Sequence, residues 1–227
     1  WKLVAVNLSD LAAKGAKPFG VILGLGRTGN ADWDSQFIVG LKQAITHFGV
    51  PLLGGDTVTM GEGQGRTMGL TAFGEAKGHI VPARNGAQAG HAVYVTGPIG
   101  DAWGGLHLAS GRFQSDNQSA CATLLKAHNR PTPLLETGRA LSSLVSAMMD
   151  ISDGLLVDSK RIADASGIAM ELDLDKVPLS EAFQALFGDS QEARMVAATG
   201  GDDYQLLLTA PPETVLPIAV VQIGTCK

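Results

Sequence analysis

Met148-Met149-Asp150-Ile151-Ser152-Asp153-Gly154-Leu155-Leu156 sets two carboxylates three residues apart, with a serine between them and a glycine after, where an apolar run meets a helical pattern. If Ile151 closes a strand and Gly154 opens a helix, then Asp150, Ser152 and Asp153 project from one strand-to-helix turn. Backbone N–H groups of such a turn are expected to point outward as well. Hard cations suit these oxygens, because Mg²⁺ binds through one or two carboxylates and keeps waters and substrate phosphates as its other ligands. A helix cap would use only one of the three polar residues. The stretch therefore reads as a site, at the centre of a chain that alternates strands and helices.

Working outward, the same device recurs. Lys2 to Leu8 reads as a β-rich run, after which Asn7-Leu8-Ser9-Asp10 opens an Ala-rich helix stopped by Gly15 and Pro18, so Asp10 is expected at a second strand-to-helix turn. Val50 to Leu53 reads as a short strand running into Gly54-Gly55-Asp56-Thr57. Two glycines there let a phosphate approach the backbone, and Asp56 with Thr57 supplies hard oxygens. Gly200-Gly201-Asp202-Asp203-Tyr204 leads into a strand over Gln205 to Thr209. Acids beside small residues at four strand ends, with no P-loop and no Ser/His/Asp set, suggest several Mg²⁺ ions holding a polyphosphate. That suits phosphoryl transfer, which needs positioning and charge neutralisation more than covalent catalysis.

Gly24-Leu25-Gly26-Arg27-Thr28-Gly29 matches G-x-G-x-x-G but does not open a helix, and Asn30-Ala31 stands where a P-loop needs Lys-Ser/Thr, so neither dinucleotide-binding reading holds. The remaining elements follow from periodicity. Trp33, Phe37, Leu41, Ala44 and Phe48 mark an amphipathic helix ended by Gly49, and Thr67 to Gly74 with Gly78 to Val81 alternate like paired strands. Helices are predicted over Ala102–Ser110, Ser115–His128, Glu181–Phe187 and Ala193–Ala198, with strands over His91–Thr96, Ile168–Leu172 and Val220–Gly224. The small, polar stretch Arg84 to Gly90 marks a boundary between domains 1–86 and 87–227.

Composition limits the partners. With 17 basic against 22 acidic residues, a net charge of −5 and no basic run, nucleic acid and anionic membranes are not expected partners. An anionic substrate would therefore need metal ions. Cys121 and Cys226 have no metal-ligand spacing, which points to a reducing cytoplasm and against structural zinc. No apolar run approaches the ~20 residues of a spanning helix.

Asn7-Leu8-Ser9-Asp10-Leu11-Ala12-Ala13-Lys14-Gly15-Ala16, Gly54-Gly55-Asp56-Thr57, Met149-Asp150-Ile151-Ser152-Asp153-Gly154-Leu155 and Gly200-Gly201-Asp202-Asp203-Tyr204 together resemble the thiamine-monophosphate kinase family, in its order and across the whole chain. The resemblance implies ATP-dependent phosphorylation of thiamine monophosphate to thiamine diphosphate by direct in-line transfer. It implies a cytoplasmic homodimer joined through the N-terminal domain. The implied fold is the two-domain α/β (α+β) fold of aminoimidazole ribonucleotide synthetase and its relatives, each domain a mixed sheet flanked by helices. Carried over by position, Asp10, Asp56, Asp150 and Asp153 would be Mg²⁺ ligands and catalytic, and Gly55, Asp56, Arg84 and Ser152 would touch ATP. Asp202 would meet the thiamine substrate, where the family usually has Glu, with Gln205 in place of a later Glu and Leu134 in place of an Arg.

Two further readings stand beside this one: another ATP-dependent member of the superfamily, such as a hydrogenase-maturation dehydratase, and a non-catalytic nucleotide-binding fragment. The resemblance also implies an acidic Mg²⁺-binding stretch and strands ahead of the Asn-Leu-Ser-Asp segment, and a C-terminal segment with an aromatic near the substrate. The 227 residues, starting at Trp1, are expected to lack both and to be nearly inactive alone.

Overall fold

The computed structural model describes residues 1–76 and 81–227. The first half contains α1 (Lys2–Ala12), β1 (Lys17–Arg27), α2 (Ala31–His47), β2 (Leu52–Thr59) and β3 (Thr67–Glu75). Its sheet has the order β2-β1-β3, with β2 parallel and β3 antiparallel to β1. This is the expected mixed sheet. The parallel pair is joined by α2, whose N-cap Asn30 accepts a hydrogen bond from the Trp33 N–H at 3.0 Å and which stops at Gly49, φ +63°. Gly24 and Gly26 of the G-x-G-x-x-G match lie inside β1. The strand expected at Gly78–Val81 falls mostly on 77–80, outside the described residues, and Val81 is in no strand.

Two expectations for this half are corrected. Lys2 to Leu8 is not a strand: Val4, Leu8 and Ala12 recur at a four-residue spacing and are all buried, so the helical period overrides the β-propensity of Val4 and Val6, and the run is helical from Lys2 through Ala12. Asp10 therefore sits on a helix and not at a strand end. Gly54-Gly55-Asp56-Thr57 does not follow a strand but lies within β2, where it pairs with Ile22, Leu23, Gly24 and Leu25 of β1.

The second half contains β4 (Ala92–Val95), α3 (Asp101–Ala109), α4 (Gln118–Asn129), α5 (Leu135–Leu141), β5 (Ala147–Asp150), α6 (Leu155–Ser166), β6 (Met170–Leu172), α7 (Glu181–Phe187), α8 (Gln191–Thr199), β7 (Leu206–Ala210) and β8 (Val221–Cys226). Its five strands take the order β5-β7-β4-β8-β6, and the described pairings are all antiparallel, where a mixed sheet was expected. β7 and β8, both from the far end of the chain, flank β4 and each runs antiparallel to it.

Both faces of this sheet are covered. On one, Val93, Val95, Met149 and Leu207 meet Leu155 and Ile162 of α6. On the other, Met148, Leu206 and Leu208 meet Leu141 of α5 and Ala12 and Ala13 of α1. The first sheet buries Val21 and Leu23 against Val4 and Leu8 of α1 and Leu41 and Ala44 of α2. Helix α1 is thus shared by both layers. Gly138 makes this possible, since a Cβ there would stand 1.9 Å from the Ala12 carbonyl oxygen. Its helix α5 can approach α1 only without a side chain at that point.

Candidate functional site

The turn after β5 forms as its sequence predicts: the strand ends at Asp150 and α6 begins at Leu155. Gly154 has φ +120°, and a Cβ there would lie 2.9 Å from the carbonyl oxygens of Thr199 and Gly200. Only glycine fits. Against this turn lies the Gly200–Tyr204 loop, held by three backbone bonds: Asp202 N–H to Ser152 O (2.8 Å), Tyr204 N–H to Ile151 O (2.9 Å) and Ile151 N–H to Gln205 O (2.8 Å). Two acid-bearing turns, 50 residues apart in sequence, thereby become neighbours.

Asp150 is buried at 4% exposure. Burial pushes its carboxyl above the ordinary carboxylate range, the nearby Asp10 charge pushes the same way, and the adjacent Ser9 hydroxyl pulls it down while falling short of hydrogen-bond geometry. Asp10 itself lies on the exposed side of α1. Lys14 and Arg84 complete the group: burial and the Arg84 charge lower the Lys14 ammonium, whereas Asp150 and Asp10 hold it up. Lys14 also donates to the Pro82 carbonyl at 3.1 Å.

Asp202 stands on the other side of the turn. It forms an ion pair with Lys2 of α1 at 2.7 Å and accepts a hydrogen bond from the Tyr204 hydroxyl at 2.8 Å, with the His128 ring 4.0 Å away. Despite its partial burial, the bonds from Lys2 and Tyr204 hold its carboxyl below the usual range. Both Asp202 (φ +70°) and Tyr204 (φ +53°) adopt left-handed backbone, a conformation costly for an aromatic residue and one that gathers at functional turns. Burial, followed by the hydrogen bond to Asp202 and its charge, raises the Tyr204 hydroxyl well above its ordinary value.

Asp203 does not join these acids. It turns inward to the start of α3, where its carboxyl accepts from the Gly100 N–H at 3.0 Å, and burial pushes it up to about 8. Beyond it lies a cavity of about 270 Å³ lined by Lys126, Arg130, Thr132, Leu134, Asp203 and Gln205. Lys126 and Arg130 put positive charge beside Leu134, the position where an arginine was expected. A larger cavity, about 460 Å³, flanks β6 with Glu171, Asp173 and Lys176 and touches none of the predicted site residues.

The other predicted residues are placed separately. Asp56 pairs in register with Gly24, on the same sheet face as Ile22 and away from the face that α1 and α2 cover. Its carboxylate accepts from the Thr57 N–H at 2.8 Å, and no described contact joins it to Asp10 or Asp150. Gly55 faces β1 so closely that a Cβ would meet the Leu23 carbonyl oxygen at 2.0 Å. Asp153 is paired with Arg161, and the Ser152 and Asp153 N–H groups do not point outward as expected: both donate to Asp158 at 3.0 Å.

Among the described residues no three Asp, Glu, His or Cys side chains converge as a metal shell. Asp10 lies near enough to Asp150 for its charge to raise that carboxyl, and carboxylates beside an unsatisfied Ser9 hydroxyl are the donor chemistry of a hard cation. Sequence reasoning missed Lys2, Asp158 and Arg161. Lys2 was hidden by the strand reading of its segment, whereas Asp158 and Arg161, at i+4 and i+7 from Gly154, carried the spacing of a helix face turned back on the loop.

This two-sheet fold has known counterparts. Residues 1–76 match the AIR synthase related protein, N-terminal domain, and residues 88–226 match its C-terminal domain. Within that class the chain belongs to the thiamine-monophosphate kinase family: it is 37% identical over 232 residues to the thiamine-monophosphate kinase of Salmonella typhimurium, across 99% of this chain and 68% of that one. The chain spans 60% to 72% of the length of such curated relatives. The solved structure of AaThiL complexed with AMPPCP and TMP superposes with a TM-score of 0.90 at 28% identity, over 100% of this chain and 73% of that one. Hydrogenase Maturation Protein HypE in complex with ATP shares the fold, with a TM-score of 0.78 at 18% identity over 100% of this chain and 70% of that one.

Proposed function

We propose that this chain carries the catalytic centre of an ATP-dependent, Mg²⁺-assisted kinase that phosphorylates thiamine monophosphate to thiamine diphosphate. The observation that carries this reading is the pairing of the Gly200–Tyr204 loop with the turn after β5, which sets Asp202 beside the Asp150 group. Family membership and the AMPPCP and TMP complex of AaThiL, an ATP analogue with the phosphate acceptor, support it. The HypE likeness, at 18% identity, is one of fold alone.

Asp10, Asp150 and Asp153, with Asp56, serve the cation side; Gly55, Arg84 and Ser152 serve ATP. Mg²⁺ bound by these carboxylates would neutralise charge on the polyphosphate. Asp202, partly exposed beside the buried Tyr204, presents a carboxylate to the cationic thiamine. A terminal oxygen of the acceptor phosphate attacks the γ-phosphorus in line, the bond from the γ-phosphorus to its bridging oxygen breaks, and ADP leaves. That oxygen is already ionised, so no general base is needed, in keeping with a site of carboxylates and no histidine at the turn.

Domains 1–86 and 87–227 divide the work, and a homodimer forms through the first. The uncovered face of its sheet, with Ile22 and Phe73 at 39% and 38% exposure and Asp56 among them, suits a second copy. No helix among the described residues is long and apolar enough to cross a membrane, and the reading places the enzyme in the cytoplasm.

The test is thiamine diphosphate formation from ATP, Mg²⁺ and thiamine monophosphate, with thiamine and formylglycinamidine ribonucleotide as controls. It is run on the chain and on a graft in which these 227 residues replace their counterpart in the Salmonella relative. A graft that folds, binds Mg·ATP and forms no thiamine diphosphate sinks the reading.

A further inference from the structure

We infer that Asp158 is a positioning residue that converts the turn after β5 from an anion-binding turn into a cation-binding one, and that Arg161 occupies Asp153 until a cation displaces it. This rests on the reading that Asp150 and Asp153 serve a divalent cation.

A strand-to-helix turn with free N–H groups at a helix N-terminus is suited to phosphate. Here that capacity is used up from below. The Asp158 side chain, fully buried in the first turn of α6, accepts the Ser152 and Asp153 N–H groups on one oxygen, both at 3.0 Å. Because the amides point down at Asp158, the turn shows the Asp153 carboxylate to the outside. The buried charge adds to those of Asp150 and Asp153, so the turn attracts cations and repels a bare phosphate. Gly154 keeps this geometry in place, since its carbonyl accepts the Asp158 N–H at 2.9 Å and its own position tolerates no side chain.

The second Asp158 oxygen accepts from Arg161 Nη1 at 2.7 Å, while Nη2 of the same guanidinium grips the Asp153 carboxylate. One arginine thus bridges a carboxylate that cannot leave and one that can. The Asp158 side chain is 0% exposed, whereas Arg161 and Asp153 are 41% and 54% exposed. An exposed ion pair of this kind is weak and exchangeable. A divalent cation competing for Asp153 would free Arg161 at its outer end, with the guanidinium still tethered to Asp158.

The test measures Mn²⁺ binding to the chain without nucleotide, by paramagnetic resonance and calorimetry, in two variants. Asp158→Asn keeps an oxygen for the two amides but removes the charge, and it should weaken Mn²⁺ about tenfold, as losses next to a metal ligand do. Arg161→Gln removes the competitor and should tighten Mn²⁺ by roughly two- to fivefold, the scale of an exposed ion pair. Opposite signs are the signature, because a merely structural network would weaken binding in both. Wild-type affinity in a folded Asp158→Asn protein overturns the inference, as does Arg161→Gln binding no tighter than wild type; if Asp158→Asn does not fold, Arg161→Gln decides. Opposite shifts in a graft that makes no thiamine diphosphate would leave the clamp standing and sink the kinase reading.

Discussion

The three-stranded sheet is covered on one face and the five-stranded sheet on both. Every residue of β2 is exposed, and every residue of β5 and β7 is buried. An aspartate in the first keeps its water: Asp56 bonds only to the amide of its own neighbour Thr57 among the described contacts. An aspartate at the end of the second loses water, and Asp150 is pushed up by burial before any neighbour acts on it. Chemically similar glycine-acid segments thus become different groups because one sheet is closed and the other open. The closed sheet can preorganise charge, which has most effect where solvent is excluded, whereas the open one can only present it to another surface.

The comparison breaks first on catalysis. Asp153→Asn in the graft should reduce thiamine diphosphate formation by roughly 10³-fold, the several kcal/mol that a metal's charge supplies, while the fold survives because Asn still suits a helix start. Asp56→Asn should do the same and weaken Mg·ATP in calorimetry. Near-normal rates in Asp56→Asn alone would confine the chemistry to the closed sheet.

Stability comes next. Leu207→Ala, in a fully buried strand, should cost about 2–5 kcal/mol in urea unfolding. Ile22→Ala, on the open face, should cost under about 1 kcal/mol at low protein concentration. A cost at Ile22 that grows with concentration would place a second copy on that face.

Acid titration sharpens the contrast within the closed half. The folded-state pKa of Asp203 is raised to about 8 from an ordinary 3.8, so the folded protein binds one more proton between those values. The contribution of Asp203 to stability should therefore be full below pH about 4 and be lost as pH rises through about 8. In Asp203→Asn, which is permanently neutral, this slope should vanish from unfolding curves recorded across that range. A slope unchanged by the substitution would assign it elsewhere.

A smaller effect on catalysis is expected at the acceptor side. Asp202→Ala should raise the KM for thiamine monophosphate about tenfold, the scale of one charge-assisted hydrogen bond, and leave the KM for ATP unchanged. Equal increases in both constants would remove Asp202 from the acceptor's surroundings.

Much of this architecture was legible residue by residue. The strand, turn and helix around Asp150–Gly154, the Gly49 helix stop and the order of the second half all follow from apolar spacing and turn chemistry, which act over a few residues. The two misread segments failed for one reason. Lys2–Leu8 and Val50–Thr57 are short apolar runs whose local preference leaves helix, strand and boundary nearly equal, and packing decided between them. Val4, Leu8 and Ala12 had a sheet on one side and α5 on the other to bury against, which rewards a helix; Gly54 to Thr57 had β1 beside them, which rewards continued pairing.

What the sequence by itself determined is therefore the inventory: the acids, the glycines that let backbones approach, and the family pattern they compose. Which acids meet was decided by tertiary structure alone. Asp202 and Asp203 are adjacent in the chain, yet one turns to Lys2 and Tyr204 and the other to the amide of Gly100. Asp158, unremarkable as a helical aspartate, closes the turn that carries Asp153. The physical reason is range. Helical period, capping and glycine conformations are settled by neighbours in sequence, whereas the burial of a carboxylate and the direction in which an amide points depend on what the rest of the chain packs against them.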